Sequence, residues 1–403
     1  MTEQFTYQGH HRIWHVLADR DGRGLTKFSE PREDVLWFDR RCFTAEEPLL
    51  RELAALGDRR VPSVRVLRDD ASGKPLLLQD FIEGRPLLEL APPGTPVPAW
   101  CLDAVLDRFR RLAALRPDRI RTPRCCAPEE RAGDGQSSSF FRTLIGFTHR
   151  RCYLGRRAGH GALFDALGVP HAALAPGSWL DNEAKALTPR PFCLLHGDLH
   201  RANLIVDPAH RLWTIDWELA MIGDPLYDLA THLHLMEYPP GQEREAIEGW
   251  RAAVAPALPG ADAGIAADLP RYRDYKRAQS VFTDVVREAQ KLDTASPGER
   301  TAQLRATGET VARLLTRAAG PLGMAAVPGA GEVTAVYAAW AAGELGGDPG
   351  GPAARGEPGE PGAGGPGGPG FSGAPGGPGA APGPADPAAT RRDARGAASP
   401  RAR

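Results

Sequence analysis

Apolar and polar positions alternate from Arg12 to Leu17, the turn-forming run Asp19-Arg20-Asp21-Gly22-Arg23-Gly24 follows, and the pattern resumes from Leu25 to Phe28. This predicts a β-hairpin. Leu49, Leu50, Leu53 and Leu56 then share one helical face, and Thr44 with Glu47 has the form of a capping box, so a helix is expected from Thr44 to about Leu56. Val61 to Leu67 and Leu76 to Phe81 read as two further strands. Beyond Pro98 the period lengthens: Trp100, Val105, Leu106, Phe109, Leu112 and Leu115 recur at helical spacing. Between Leu194 and Asp216 it shortens again, with Leu204-Ile205-Val206 and Leu212-Trp213-Thr214-Ile215 as short strands around the turn Asp207-Pro208. From Leu226 to about Leu345 the pattern is helical, and Ser296, Pro297 and Glu299 mark one helix start as cap, first position and third position.

From about Gly343 the composition shifts to Gly, Pro and Ala, with Phe371 almost the only large apolar side chain. Such a segment buries too little surface to offset its ordering entropy, so a disordered tail over 343–403 is expected. Glycine recurs every third residue from Gly356 to Gly368, but the phase then slips, which argues against a triple helix. The whole chain has 403 residues and 42% hydrophobic content, enough for a sizeable core. Its 49 basic and 50 acidic residues nearly cancel, so no nucleic-acid partner is expected. No basic leader followed by an apolar run opens the sequence, and no run is long enough to cross a bilayer, so no membrane partner is expected. Six scattered cysteines without Cys-x-x-Cys spacing read as reduced thiols, and the expected location is cytoplasmic.

The chemistry concentrates in Leu195-His196-Gly197-Asp198-Leu199-His200-Arg201-Ala202-Asn203-Leu204-Ile205, then Thr214-Ile215-Asp216-Trp217-Glu218, then Gly223-Asp224-Pro225-Leu226-Tyr227-Asp228. Carboxylates and an amide sit on or beside short apolar strands. Phosphoryl transfer needs metal to neutralise phosphate oxygens and a group to orient the attacking hydroxyl and take its proton. Mg2+ prefers few, hard oxygen ligands, which Asn203 and Asp216 can offer, leaving Asp198 as base.

The order His196, Asp198, Asn203, with Ile215-Asp216 one strand later, resembles the catalytic core of the aminoglycoside phosphotransferase and choline kinase-like family. That resemblance implies an α+β, two-lobed, protein-kinase-like fold. Residues 1–84 would form a small N-terminal nucleotide-binding lobe, a sheet with one helix. Residues 85–342 would form a larger, mainly helical catalytic and substrate lobe, and the tail would follow. It further implies Asp198 as catalytic base, Asn203 and Asp216 as Mg2+ ligands, and His196 and Asp228 as loop support. In the first lobe Lys27 stands where the family places its nucleotide-contacting lysine, with Glu47 as ion-pair partner and Glu46 as its neighbour. Asp80, Phe81 and Ile82 fall in the hinge that receives the nucleobase of ATP or GTP. The chain departs from the family in the loop over the phosphates, about Tyr7 to His11, which has the single glycine Gly9, and in Leu115-Arg116 where the family often has Leu-His.

The expected function is transfer of a terminal phosphoryl group to a hydroxyl of a small molecule, an aminoglycoside-like antibiotic, an amino alcohol or a sugar. Two other readings use the same residues. One is a kinase-fold module that holds nucleotide without turnover. The other is a metal-dependent hydrolase drawing ligands from His196, Asp198, His200, Asp216, His232 and His234. A polycationic acceptor would call for carboxylates, and Glu237, Glu243, Glu245, Glu248, Asp274 and Asp284 are candidates. Oligomeric state leaves no mark on the pattern. Truncation after Gly343 should leave the melting temperature of the folded part unchanged; a fall of about ten degrees or more would show that the tail is part of the fold.

Overall fold

The computed structural model describes residues 2–8, 12–18, 24–32, 40–68 and 75–345. The turn of the first hairpin (19–23), the glycine-poor loop at 9–11 and the tail beyond Leu345 lie outside the described residues. The N-terminal lobe is one antiparallel sheet of five strands in the order β1-β2-β3-β5-β4. These are β1 Thr2–Gln8, β2 Arg12–Ala18, β3 Leu25–Pro31, β4 Val64–Arg68 and β5 Pro75–Asp80. The expected hairpin is β2 and β3, paired from Arg12–Pro31 to Ala18–Leu25. The edge strand β1 was not anticipated by the pattern.

Helix α1 spans Glu46–Ala55 and buries Leu49, Leu50 and Leu53 against the sheet, whereas Leu56 is exposed. The predicted capping box does not form. The N-cap is Ala45, without a side-chain hydrogen bond, and Glu47 turns instead to Arg12 on β2, with Nη1 2.9 Å from Oε1. A tertiary ion pair has taken the carboxylate that a local cap would have used.

After Phe81 to Gly84 the chain enters the C-terminal lobe through the short strand β6 Arg85–Pro86 and helix α2 Leu87–Leu90. A Cβ on Gly84 would stand 2.3 Å from the Val206 carbonyl oxygen, so the crossing requires glycine. Helices α3 Ala99–Ala113, α4 Ser137–Phe147, α5 Arg157–Ala166 and α6 Trp179–Lys185 follow. Next come β7 Cys193–Leu195, β8 Leu204–Val206, β9 Leu212–Thr214 and β10 Met221–Gly223. The lobe ends with α7 Pro225–Met236, α8 Pro240–Ala257, α9 Ile265–Thr294, α10 Arg300–Leu322 and α11 Ala330–Ala341. Two small antiparallel sheets, β10-β7 and β6-β8-β9, carry the polar motifs. Helix α3 buries Val105, Phe109 and Leu112 as expected, while Trp100 at its start is exposed. The helix expected at Ser296 begins instead at Arg300, although Ser296 does bond the Glu299 carboxylate through its hydroxyl. Among the described residues no helix is long and apolar enough to cross a membrane.

A buried ionic cluster locks the base of this lobe. Arg190, 1% exposed, donates from Nε and Nη2 to Asp224 and from Nη1 to Asp268, and Tyr272 also donates to Asp224 at 3.0 Å. Asp224 is meanwhile the N-cap of α7, accepting from the Leu226 amide. Removing one member leaves the others as uncompensated buried charges, so Arg190→Ala should lower the unfolding free energy by about 3–5 kcal/mol. Urea unfolding checks this; a loss within about 0.5 kcal/mol would place the site with ordinary surface positions.

Candidate active site

The loop after β7 is shaped by a buried carboxylate. Asp228, in the first turn of α7, accepts from the His196 amide at 3.0 Å and the Gly197 amide at 2.8 Å. Burial pushes its carboxyl up to about 6, against the pull of those two N–H groups. Gly197 has φ +80°, and a Cβ there would lie 2.5 Å from the Leu219 carbonyl oxygen, so the turn admits only glycine. His196 is buried: its Nε2 donates to Ile215 O at 3.2 Å and its Nδ1 accepts from the Asp198 amide at 3.2 Å. Burial holds this imidazole neutral, lowering its pKa to about 3.

The loop so braced presents Asp198, about a quarter exposed. Asn203 donates from Nδ2 to the backbone carbonyl of Asp198 at 2.9 Å and to its carboxylate at 3.0 Å. This orientation leaves the Asn203 Oδ1 without a hydrogen bond from any described residue. His200 Nε2 lies 3.4 Å from the Asp198 carboxylate.

Asp216 follows β9 in a left-handed conformation, φ +63°, which aspartate tolerates better than most residues. Its carboxylate reaches solvent through the cleft yet is crowded by protein. Desolvation, then the charges of Glu46, Glu218 and Asp198, push its pKa well above the ordinary value, with Lys27 opposing. Lys27 is buried on β3, its ammonium 3.8 Å from the centre of the Trp14 ring. Burial lowers its pKa, and Glu46, Asp216 and Glu47 pull it back up. Of the two adjacent glutamates, Glu46 acts on Lys27 more strongly than Glu47. Glu46 also accepts from Gln79 on β5 and from the Trp217 amide beside Asp216, both at 2.7 Å. It thereby ties α1 to both lobes, while Glu47 serves Arg12.

At the hinge the Asp80 amide donates to Ser63 O and the Phe81 amide to Leu25 O, whereas the Ile82 amide has no backbone partner among the described residues. Asp80, Phe81 and Ile82 border an opening of about 600 Å³. A second cavity of about 400 Å³ has Asp198, Asn203 and Asp216 at its floor and Glu218, His234, Lys276, Gln279, Thr283, Asp284 and Arg287 on its walls. Of the acidic candidates for an acceptor site, Asp284 alone borders this cavity. Glu237 pairs with Arg317, Glu243 with Arg273 and Asp274 with Arg277, and Glu248 borders a separate cavity between α8 and α9. The contributions of Trp14, Trp217 and the Arg41–Glu218 pair at 2.6 Å had no sequence signal beyond the nearness of Trp217 and Glu218 to Asp216. The histidines of the hydrolase reading do not converge. His232 is bonded to Leu199 O and Tyr238, His234 to Ser280, and among the described residues no group of three or more His, Cys, Asp or Glu is arranged to hold a metal.

A small antiparallel lobe with a buried lysine, joined by a hinge to a helical lobe with Asp198, Asn203 and Asp216 in one cavity, defines the two-lobed phosphotransferase class of fold. The chain belongs to the phosphotransferase enzyme family, which it matches over residues 8–275. No curated protein matches the sequence. Among solved structures it is similar to a choline/ethanolamine kinase family protein from Mesorhizobium loti, at 17% identity, with 83% of this chain and 91% of that one covered and a TM-score of 0.42. A macrolide 2'-phosphotransferase from Brachybacterium faecium is 18% identical over 75% of this chain and 90% of that one, TM-score 0.42. The choline kinase of Streptococcus pneumoniae is 14% identical over 80% and 92%, TM-score 0.44.

Burial lowers the pKa of His196 and His234 to about 3 and of His232 to about 4, from an ordinary 6.5. Below pH 6.5 the unfolded chain takes up these protons and the folded chain does not, so each histidine removes stability as pH falls, at about 1.4 kcal/mol per pH unit. Asp228 and Asp216 act in the opposite sense, because their raised values let the folded state bind a proton first. Replacing His234 by Gln should therefore make unfolding free energy less steep in pH between about 6 and 4. Urea titrations at several pH values check this, and an identical slope would show that His234 is not buried as a neutral base.

Proposed function

We propose that this protein is a small-molecule kinase that moves the terminal phosphoryl group of ATP or GTP, with Mg2+, onto a substrate hydroxyl. The observation that carries the reading is the convergence of Asp198, Asn203 and Asp216 on one cavity, with buried Lys27 near enough to act on Asp216, and an Ile82 amide at the hinge that has no backbone partner among the described residues. The donor set fits a hard cation. Asn203 has a spare amide oxygen, and the Asp216 carboxylate sits among Glu46, Glu218 and Asp198, whose repulsion a bound cation would relieve. Held by Asn203 and Asp216, Mg2+ would supply charge neutralisation at the phosphate oxygens.

In this reading the Ile82 amide bonds the nucleobase, Lys27 steadies the phosphates, and Glu46, more than Glu47, keeps Lys27 charged. The acceptor hydroxyl bonds the Asp198 carboxylate, which Asn203 holds in place. As the new oxygen–phosphorus bond forms, the bond to the bridging oxygen of the nucleotide breaks. That oxygen keeps the electron pair as nucleoside diphosphate, and the hydroxyl proton passes to Asp198. His196 and Asp228 hold the loop and take no part in the chemistry.

Asp198→Asn should keep metal-dependent nucleotide binding and lose turnover by ~10²–10⁴-fold. Asp216→Asn should raise the magnesium concentration needed for both. Magnesium titrations of activity and of nucleotide binding test the pair. Loss of binding in Asp198→Asn with retention in Asp216→Asn would reverse the roles, and wild-type turnover in both would remove the kinase reading.

A further inference from the structure

The acceptor cavity has an uneven balance of charge. On its walls Glu218 is paired with Arg41 at 2.6 Å and Asp284 with Arg287 at 2.9 Å. At its floor Asp198 is held by Asn203 and His200, and Asp216 is assigned above to the cation. Lys276, from α9, is different. It is 8% exposed, yet among the described residues its ammonium donates only to the Gln279 amide oxygen, at 2.7 Å, and otherwise faces the Tyr227 ring at 5.6 Å. Among the described residues no carboxylate forms an ion pair with it. Asp228 feels its charge from farther off but already accepts two backbone amides. A nearly buried ammonium without a counter-ion is costly, and such a group is stabilised by whatever anion reaches it.

The field on that wall is consistent with this. The imidazole of His234, also on the cavity, is kept neutral first by burial and then by the charges of Lys276, Arg317, Arg277 and Arg273. A polycationic acceptor would find the wall carboxylates already matched by arginines and a surplus cation beside it, which disfavours binding.

We propose that the acceptor of this kinase is a hydroxyl compound bearing a carboxylate, with the carboxylate received by Lys276 while Asp198 meets the hydroxyl. This rests on the kinase reading above and names its substrate class. In the ternary complex the Lys276 ammonium gains the counter-ion that the protein does not supply, and it can still donate to Gln279. Lys276 sets which acceptor is bound and does not take part in the bond changes.

The test compares matched probes for binding by calorimetry to the whole protein saturated with AMP-PNP and magnesium. The probes are glycerate against glycerol and gluconate against glucose, with choline and kanamycin as cationic comparators. The carboxylate member of each pair should bind at least about tenfold more tightly than its neutral partner. That advantage should shrink as ionic strength rises, vanish in Lys276→Gln and persist in Lys276→Arg. Melting temperatures establish that both variants are folded, and the salt series on the unmodified protein stands if Lys276→Gln is not. Equal binding within each pair, an advantage that survives Lys276→Gln, or tighter binding of choline or kanamycin than of the carboxylates would overturn the inference. Failure of AMP-PNP to bind in the presence of magnesium would be a separate result, and would remove the kinase reading itself.

Discussion

The two backbone amides that Asp228 accepts set the path of the chain through the loop after β7. His196 and Gly197 turn their N–H groups inward to one buried carboxylate, and the turn they make needs glycine because the Leu219 carbonyl leaves no room for a Cβ. With that turn fixed, the His196 ring lies between the Asp198 amide and the Ile215 carbonyl, so the strand bearing Asp216 is joined to the loop bearing Asp198. Asn203 then closes back on Asp198. The site is thus built by hydrogen bonds whose cost of burial is met inside the protein.

Charge in the cleft follows a second constraint. Glu46, Asp198, Asp216 and Glu218 lie close enough to raise the pKa of Asp216, and buried Lys27 offsets this only in part. Holding carboxylates together in this way costs stability. Lys276 presents the same situation with the sign reversed, an ammonium that forms no ion pair among the described residues. The cleft is therefore polarised between a floor of crowded carboxylates and a wall that carries Lys276.

Much of the framework was legible along the chain. The hairpin of β2 and β3, the helices after Pro98 and the short strands around Asp207 follow from hydrophobic periods, since residues of one period share a face that must be buried. Strand β1 was missed because its sequence, Thr2–Gln8, is mostly polar and its side chains at Gln4, Phe5, Thr6 and Tyr7 are exposed, so no buried face marks it. The absent cap at Thr44 has a tertiary cause, since Arg12 takes the Glu47 carboxylate that a local cap would have used; at Ser296 the local bonds to Glu299 do form, and the turn they close leads into the helix that begins at Arg300.

The order of elements and the identity of the chemical groups follow from the chain alone: Asp198, Asn203 and Asp216 at fixed intervals beside short strands, and a lysine on the second strand of the predicted hairpin. Those follow from spacing, which a chain carries in one dimension. Only the tertiary structure decided which partner each group serves. Glu46 and Glu47 are adjacent in sequence but point about 100° apart on a helix, and the positions of β5 and Trp217 on one side and Arg12 on the other assign them different roles. Asp224 and Asp228 divide in the same way, one capping α7 and binding Arg190, the other holding the loop after β7. Lys276 lies in a stretch of mixed charge, Arg271 to Arg277, where Arg271, Arg273 and Arg277 each find a carboxylate and Lys276 finds none among the described residues. Pairing depends on distances between segments far apart along the chain, and those distances exist only once the lobes are folded.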